Sequence, residues 1–291
     1  MRTGIPSNGM ETTPETPQQT GPWQRNTRRP HPRLRAFVGD YEGYSQMVPG
    51  LKMLEVPIAA VPLVITFGDG HNIIDSAGRA ERHSSFVAGM ADSWVVVESG
   101  EHSAGIQVNF TPIGARMFLG VSMDSIANRT IELEDVLGHS ARHVIEQLQS
   151  APTWDARFDI VDRLIAERLG AAPAASSPVV WAWNKLQASG GNAPIASIAG
   201  ETGYSHKHLI NRFRDEIGLP PKTLSRVLRF TRAVRMIRAA GETVDWLDVA
   251  SECGYFDQAH LIRDFREFAG MTPADFAARQ LPFGGVDGTP I

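Results

Sequence analysis

Between Leu34 and Phe110 the apolar residues come in short runs, Val61 to Phe67, Trp94 to Val97 and Ile106 to Phe110, separated by Gly, Asp, Asn and Ser. Runs of this length bounded by turn formers, with Asp69-Gly70 and Ser99-Gly100 as punctuation, predict strands. The period changes at Leu133. Leu133, Val136, Leu137, Val144, Ile145 and Leu148 fall on one helical face, and Trp154, Phe158, Val161, Leu164, Ile165 and Leu169 repeat the pattern. The expectation is a β-rich domain followed by two amphipathic helices. Such a pair either caps its own core or forms a dimer interface.

The stretch Gly170 to Ser177, GAAPAASS, has the composition of a linker. Ser177-Pro178 reads as an N-cap and first-turn pair, so a helix is expected to open at Pro178, carry Trp181, Trp183 and Leu186, and stop at Gly190-Gly191. Met1 to Arg33 is rich in Pro, Thr, Gln and Arg and has no apolar segment, which predicts a disordered arm and no signal peptide. The expected organisation is an arm over 1–33, a β-rich regulatory domain over 34–170, a linker over 171–177, a helical domain over 178–280 and a flexible tail over 281–291.

The helical part contains a repeat. Ile198-Ala199-x-Glu201-x-Gly203-Tyr204 returns as Val249-Ala250-x-Glu252-x-Gly254-Tyr255. After one extra residue, Leu209-Ile210, Phe213-Arg214, Gly218 and Pro221 return as Leu261-Ile262, Phe265-Arg266, Gly270 and Pro273. A short helix ends at a glycine able to take positive φ, and a second helix restarts at once. Leu209 and Phe213, and their counterparts Leu261 and Phe265, are four apart and face inward, leaving the opposite face free. Helix, tight turn, helix at this size is a DNA-reading unit whose second helix enters the major groove.

The second copy, Gly254-Tyr255-x-Asp257-Gln258-x-His260-Leu261-x-Arg263-x-Phe265-Arg266 followed by Gly270-Met271-Thr272-Pro273, resembles the signature of the AraC/XylS family of transcription regulators. The resemblance covers about Pro178 to Arg279. It implies an α+β chain overall: a β-rich N-terminal sensor or dimerisation domain with two following helices, then an all-α, seven-helix DNA-binding domain with two helix-turn-helix units. A long central helix, matching the run Lys222 to Arg238, would join the units and span ~25 Å. The segment NFTPIGARMFLG within Gly105 to Gly138 is similar to the N-terminal domain of a subgroup of these regulators.

The outward positions of the second helix in the first unit are His206, Lys207, Ile210, Asn211 and Arg214; in the second they are Gln258, Ala259, Ile262, Arg263 and Arg266. Asn211 suits a bidentate pair with adenine, Arg263 suits guanine, and isoleucine suits a thymine methyl. Each competes with the plainer reading of an exposed side chain without a base contact.

The whole chain carries a net charge of -4, which alone argues against a polyanion partner. Its distribution argues otherwise. Lys185 to Arg238 holds ten bases against three acids, Glu201, Asp215 and Glu216, for a local +7. From Ala239 to Gln280, three arginines face eight acids, for -5. Two explanations stand: the acids pair with arginines of the central helix, or the first unit supplies most DNA affinity while the second adds sequence preference and faces RNA polymerase.

Other chemistry is sparse. Cys253 is the single cysteine, which excludes an internal disulfide and fits a buried thiol in a reducing, cytoplasmic setting. His71, His83 and His102 lack dense ligand spacing, and His139 and His143 sit four apart on a predicted helix. No phosphate loop, nucleophile elbow or carboxylate pair is present, so neither an enzyme nor a cofactor is expected. The expected partners are double-stranded DNA, a second copy of the chain, RNA polymerase and a small-molecule effector, with no membrane. The alternative is a DNA-binding sensor whose N-terminal domain binds metal or catalyses a reaction.

Overall fold

In a computed structural model, residues 23–46, 50–173, 175–240, 243–281 and 285–289 are described. The N-terminal half is two antiparallel sheets. β1 (Trp23–Arg28), β2 (Val38–Gln46), β4 (Val61–Thr66), β7 (Phe86–Ala88), β9 (Ser103–Phe110) and β10 (Thr130–Glu132) form the larger, in the order β1-β2-β9-β4-β7-β10. β3 (Lys52–Glu55), β5 (His71–Asp75), β6 (Ala80–His83) and β8 (Val95–Ser99) form the smaller, in the order β3-β8-β5-β6. The predicted apolar runs supply the central strands. Ile106, Val108 and Phe110 alternate with less buried residues along β9 and lie opposite Ile65, Leu63 and Val61 of β4, as a period of two requires.

Among the described residues four α-helices accompany the sheets. α1 (Pro112–Leu119) was not expected from periodicity; Thr111 caps it by accepting from the Gly114 amide at 3.0 Å, and Pro112 opens it. The first predicted amphipathic helix is two pieces, α2 (Leu133–Leu137) and α3 (His139–Ser150), broken at Gly138. α4 (Trp154–Ala171) is the second. Leu133, Val144, Leu148, Phe158, Val161 and Ile165 are all buried within their own domain, and Phe158 stacks on Tyr41 with ring centroids 6.0 Å apart. The helices cap their own core, the first of the two alternatives.

Two terminal expectations are corrected. The arm was expected to be disordered through residue 33, yet β1 pairs with β2 along its length. Arg28 also bridges Asp159 at 2.6 Å and Asp162 at 2.7 Å on α4. Its partners are distant in sequence, so local composition hides them; residues 1–22 of the predicted arm lie outside the described residues. Residues 285–289 of the predicted tail are likewise not free, while 282–284 and 290–291 lie outside the described residues. Val286 is fully buried, its carbonyl accepts from the Leu54 amide at 2.8 Å, and the Gly288 amide donates to Lys52 at 3.1 Å. The end of the chain thus occupies the open edge of β3.

The C-terminal part is seven helices among the described residues: α5 (Ser177–Ala188), α6 (Ile195–Thr202), α7 (His206–Ile217), α8 (Pro221–Ala240), α9 (Trp246–Glu252), α10 (Gln258–Ala269) and α11 (Pro273–Ala278). The cap of α5 is Ser176, one residue earlier than expected, accepting from the Val179 amide. The 20 residues of α8 span ~30 Å. Phe230 of α8 meets Phe265 and Phe268 of α10 with centroids 4.8 and 5.3 Å apart, so the second unit packs on the connecting helix. No described helix is long and apolar enough to cross a membrane.

Candidate nucleic-acid interface

The two repeats fold alike. α6 and α9 end near Gly203 (φ 70°) and Gly254 (φ 77°), whose left-handed backbone reverses the chain at low steric cost. α7 starts after Ser205, whose hydroxyl accepts from the His208 amide, and α10 after Asp257, whose carboxylate accepts from the His260 amide at 2.7 Å. Tyr204 packs edge-on to His208 and Tyr255 edge-on to His260, with centroids 4.4 and 5.1 Å apart. Leu209, Phe213, Leu261 and Phe265 are buried, as their spacing predicts.

The candidate reading residues fall on the opposite face. His206, Lys207, Asn211 and Arg214 of α7 are exposed, with Ile210 half-buried at the face's edge. Gln258, Ala259, Arg263 and Arg266 of α10 are exposed, with Ile262 half-buried, matching α7 position by position. Among the described residues, Lys207, Arg214, Arg263 and Arg266 make no ion pair, so each reading helix presents two uncommitted cations. Cations in this state displace counterions from a phosphate backbone.

The remaining charges are largely spent inside the protein. Arg226 of α8 donates to Asp264 at 2.8 Å and Glu267 at 2.5 Å on α10, and Arg232 lies 3.8 Å from Glu252. Lys185 is paired with Glu201, and Arg212 with Glu216. Asp245, Asp257 and the Thr272–Asp275 capping box hold helix N-termini. Of the second unit's described acids, Asp245, Asp257 and Asp275 are caps, and Glu252, Asp264 and Glu267 face arginines of α8, as the first of the two explanations expects. Glu267 is held below the usual carboxylate range by its hydrogen bonds from Arg226.

The N-terminal domain holds both reading helices at their C-terminal ends. Arg116 of α1 donates to the Asp215 carbonyl at 2.7 Å and to its carboxylate at 3.0 Å. Gly218, which caps α7, lies against Met90 and Met123, and Gly270, which caps α10, lies against Trp94. Sequence reasoning missed these contacts, since they join segments some hundred or more residues apart. Gly89, Ala91, Ser93 and Trp94 also line a cavity of about 810 Å³, whose walls include Tyr44, Val64, Ile73, His71 and Phe86 of the sheets together with Arg238 and Gly285.

His71 and His83 stand opposite each other on β5 and β6, both against Phe86, but they are committed to different partners. His71 Nε2 meets the Tyr44 hydroxyl at 3.1 Å, His83 Nδ1 meets Glu132 at 2.9 Å, and His143 meets Gln147. Burial favours neutral His71 and pushes the Tyr44 phenol up to about 12. Among the described residues no three His, Cys, Asp or Glu side chains are grouped to hold a metal ion. Cys253 is buried with its Sγ 3.4 Å from Met236 Sδ, and burial raises its thiol to about 11, well away from thiolate chemistry at neutral pH.

A family model described as "Helix-turn-helix domain" matches residues 192–279. The F1 operon positive regulatory protein of Yersinia pestis is 29% identical over 87 residues, 30% of this chain and 28% of that protein. The match thus spans little more than a quarter of that relative's length. Among solved structures, ToxT from Vibrio cholerae O395 superposes with a TM-score of 0.46 at 10% identity, covering 82% of this chain and 96% of ToxT. Unsaturated fatty acid bound wild-type ToxT from Vibrio cholerae strain SCE256 gives 0.47 at 10%, covering 91% and 99%. The AraC-like transcriptional activator CuxR gives 0.27 at 14%, covering 75% and 87%. With both copies of the repeat folded as helix, turn and helix, residues 192–279 form a helix-turn-helix domain.

Proposed function

We propose that the chain is a transcription regulator that binds double-stranded DNA through α7 and α10. His206, Lys207, Ile210, Asn211 and Arg214 face one major groove, and Gln258, Ala259, Ile262, Arg263 and Arg266 face the next. The observation that carries this reading is the position-by-position match of two exposed faces, each with two unpaired cations. The helix between them, ~30 Å long, suits grooves one turn, about 34 Å, apart. In this reading residues 34–170, together with β1 of the same sheet, regulate, 178–280 read DNA, and 171–177 join them. Footprinting of the full chain on DNA upstream of its own and neighbouring genes tests it. The expected result is two protected patches one helical turn apart, and uniform protection of all DNA overturns it.

The regulatory signal in this reading is a small-molecule effector in the cavity of about 810 Å³, a size suited to such ligands. Its support is the segment Gly89 to Trp94, in which Gly89, Ala91, Ser93 and Trp94 line the cavity while Met90 and Trp94 lie against the caps Gly218 and Gly270. A thermal-shift screen of a metabolite panel tests it: an effector raises the melting temperature and changes DNA affinity, and a hit that does only the first is no effector. Pairing of two copies and contact with RNA polymerase complete the reading. Sedimentation of the free and DNA-bound chain, and transcription assays with purified polymerase, test these.

A further inference from the structure

The two repeats differ by one residue. Gly203-Tyr204-Ser205 of the first corresponds to Gly254-Tyr255-Phe256-Asp257 of the second, with Ser205 and Asp257 as the caps, so Phe256 is the insertion. Its side chain is 93% exposed, the most exposed of the large apolar residues described. The residue before an N-cap ordinarily packs on the fourth helical residue. Here that residue, Leu261, is already buried, and the preceding Tyr255 is buried as well. Among the described residues nothing covers Phe256, at the N-terminal tip of α10.

That tip is the part of a reading helix that goes deepest into the major groove. Around it the second unit is less polar than the first: Phe256, Ala259 and Ile262 stand beside Gln258 and Arg263, where the first unit has His206, Lys207, Ile210 and Asn211. The apolar group on the floor of the major groove is the thymine 5-methyl, which phenylalanine and alanine side chains contact. We propose that Phe256 is a specificity-determining residue, which with Ala259 covers a thymine 5-methyl in the half-site bound by α10. The first unit has no equivalent. The inference rests on the DNA-reading function proposed above.

The test uses the full chain. Wild-type protein selects duplexes from a random pool, and each thymine of the selected site is then replaced by uracil, which lacks the methyl. Wild type is expected to lose about fourfold in affinity at one or two thymines of one half-site, the worth of one apolar carbon. Phe256→Ala is expected to bind the thymine duplex roughly fourfold to tenfold more weakly and to be indifferent to uracil there. Lys207→Ala, as a control, weakens both duplexes alike and keeps the uracil penalty. A Phe256→Ala protein that binds as wild type, or that binds weakly with the uracil penalty intact, overturns the assignment. Unchanged DNA binding with impaired transcription in the presence of polymerase also overturns it and moves Phe256 to a protein contact. If wild type enriches no sequence, the DNA-reading function itself fails, a result distinct from a failure of Phe256 alone.

Discussion

The indole of Trp94 lies over Gly270, so that a Cβ placed on Gly270 would stand 2.7 Å from the ring. Gly270 also has a φ of 71°, the left-handed conformation that ends α10. Glycine is thus required twice, once by the backbone and once by a side chain from the other domain. Gly270→Ala is expected to cost about 1–2 kcal/mol for the left-handed backbone and a further 1–3 kcal/mol or so for the collision. In a Trp94→Ala background only the first cost should remain. Denaturant titration of the four proteins in the cycle measures the difference, and additive effects would show that the ring does not press on the cap.

Arg226 ties the long helix to the second unit through one buried and one exposed carboxylate, with Asp264 1% exposed and Glu267 at the surface. Arg226→Ala strands the Asp264 carboxylate and is expected to cost roughly 3–5 kcal/mol. Glu267→Gln should cost below about 1 kcal/mol at neutral pH, as exposed pairs do. The pH dependence has a defined sign. The folded protein holds Glu267 below its ordinary value, so the stabilisation is complete above the unfolded value of about 4.3 and disappears as pH falls through the lower, folded one. Thermal melts from pH 6 downward should show a shallower acid decline for Glu267→Gln than for wild type.

The tail predicts a different signature. Val286 is buried between Gln280, to which it bridges, and the β3 edge, which the neighbouring Asp287 meets at Met53. Removing residues 285–291 should open that edge, leaving the Leu54 amide without its acceptor and exposing a strand to intermolecular pairing. Hydrogen exchange should show faster labelling at Leu54, and the truncated protein should aggregate at lower concentration. Val286→Ala should cost about 2 kcal/mol by cavity formation while keeping the backbone pairing.

What could be seen in the sequence and what could not divide along physical lines. The repeat is local: Gly203 and Gly254, Leu209 and Leu261, and Phe213 and Phe265 sit at fixed offsets that one helix-turn-helix imposes. The reading faces follow from the same offsets, and all ten residues lie where the spacing puts them. β1 was hidden because its own residues, WQRNTR, carry no apolar alternation, and the tail because its partners, Lys52 to Leu54, are remote in sequence. Charge counting failed for a related reason. Asp257 and Asp275 stay negative, but their carboxylates are turned onto the N-terminal amides of their own helices. Asp264 and Glu267 neutralise an arginine that the count had assigned to the other unit.

That last point changes what the reading helices should do. Once internal ion pairs are removed, α7 keeps Lys207 and Arg214 and α10 keeps Arg263 and Arg266, so the two reading helices present the same number of free cations. Replacing any of the four with alanine should therefore lower the slope of log affinity against log salt by about one wherever the side chain meets a phosphate. Replacing Arg212, which is spent on Glu216, should leave the slope unchanged. Arg263 has the further chance of a bidentate guanine contact, and Asn211 of an adenine contact, each worth about 1–3 kcal/mol against a wrong base. Asn211→Ala and Arg263→Ala should then cost similar affinity on the selected site, measured at one fixed salt concentration. A loss confined to Asn211→Ala would return the main grip to the first unit and make the second a lesser contributor, as the raw charge count suggests.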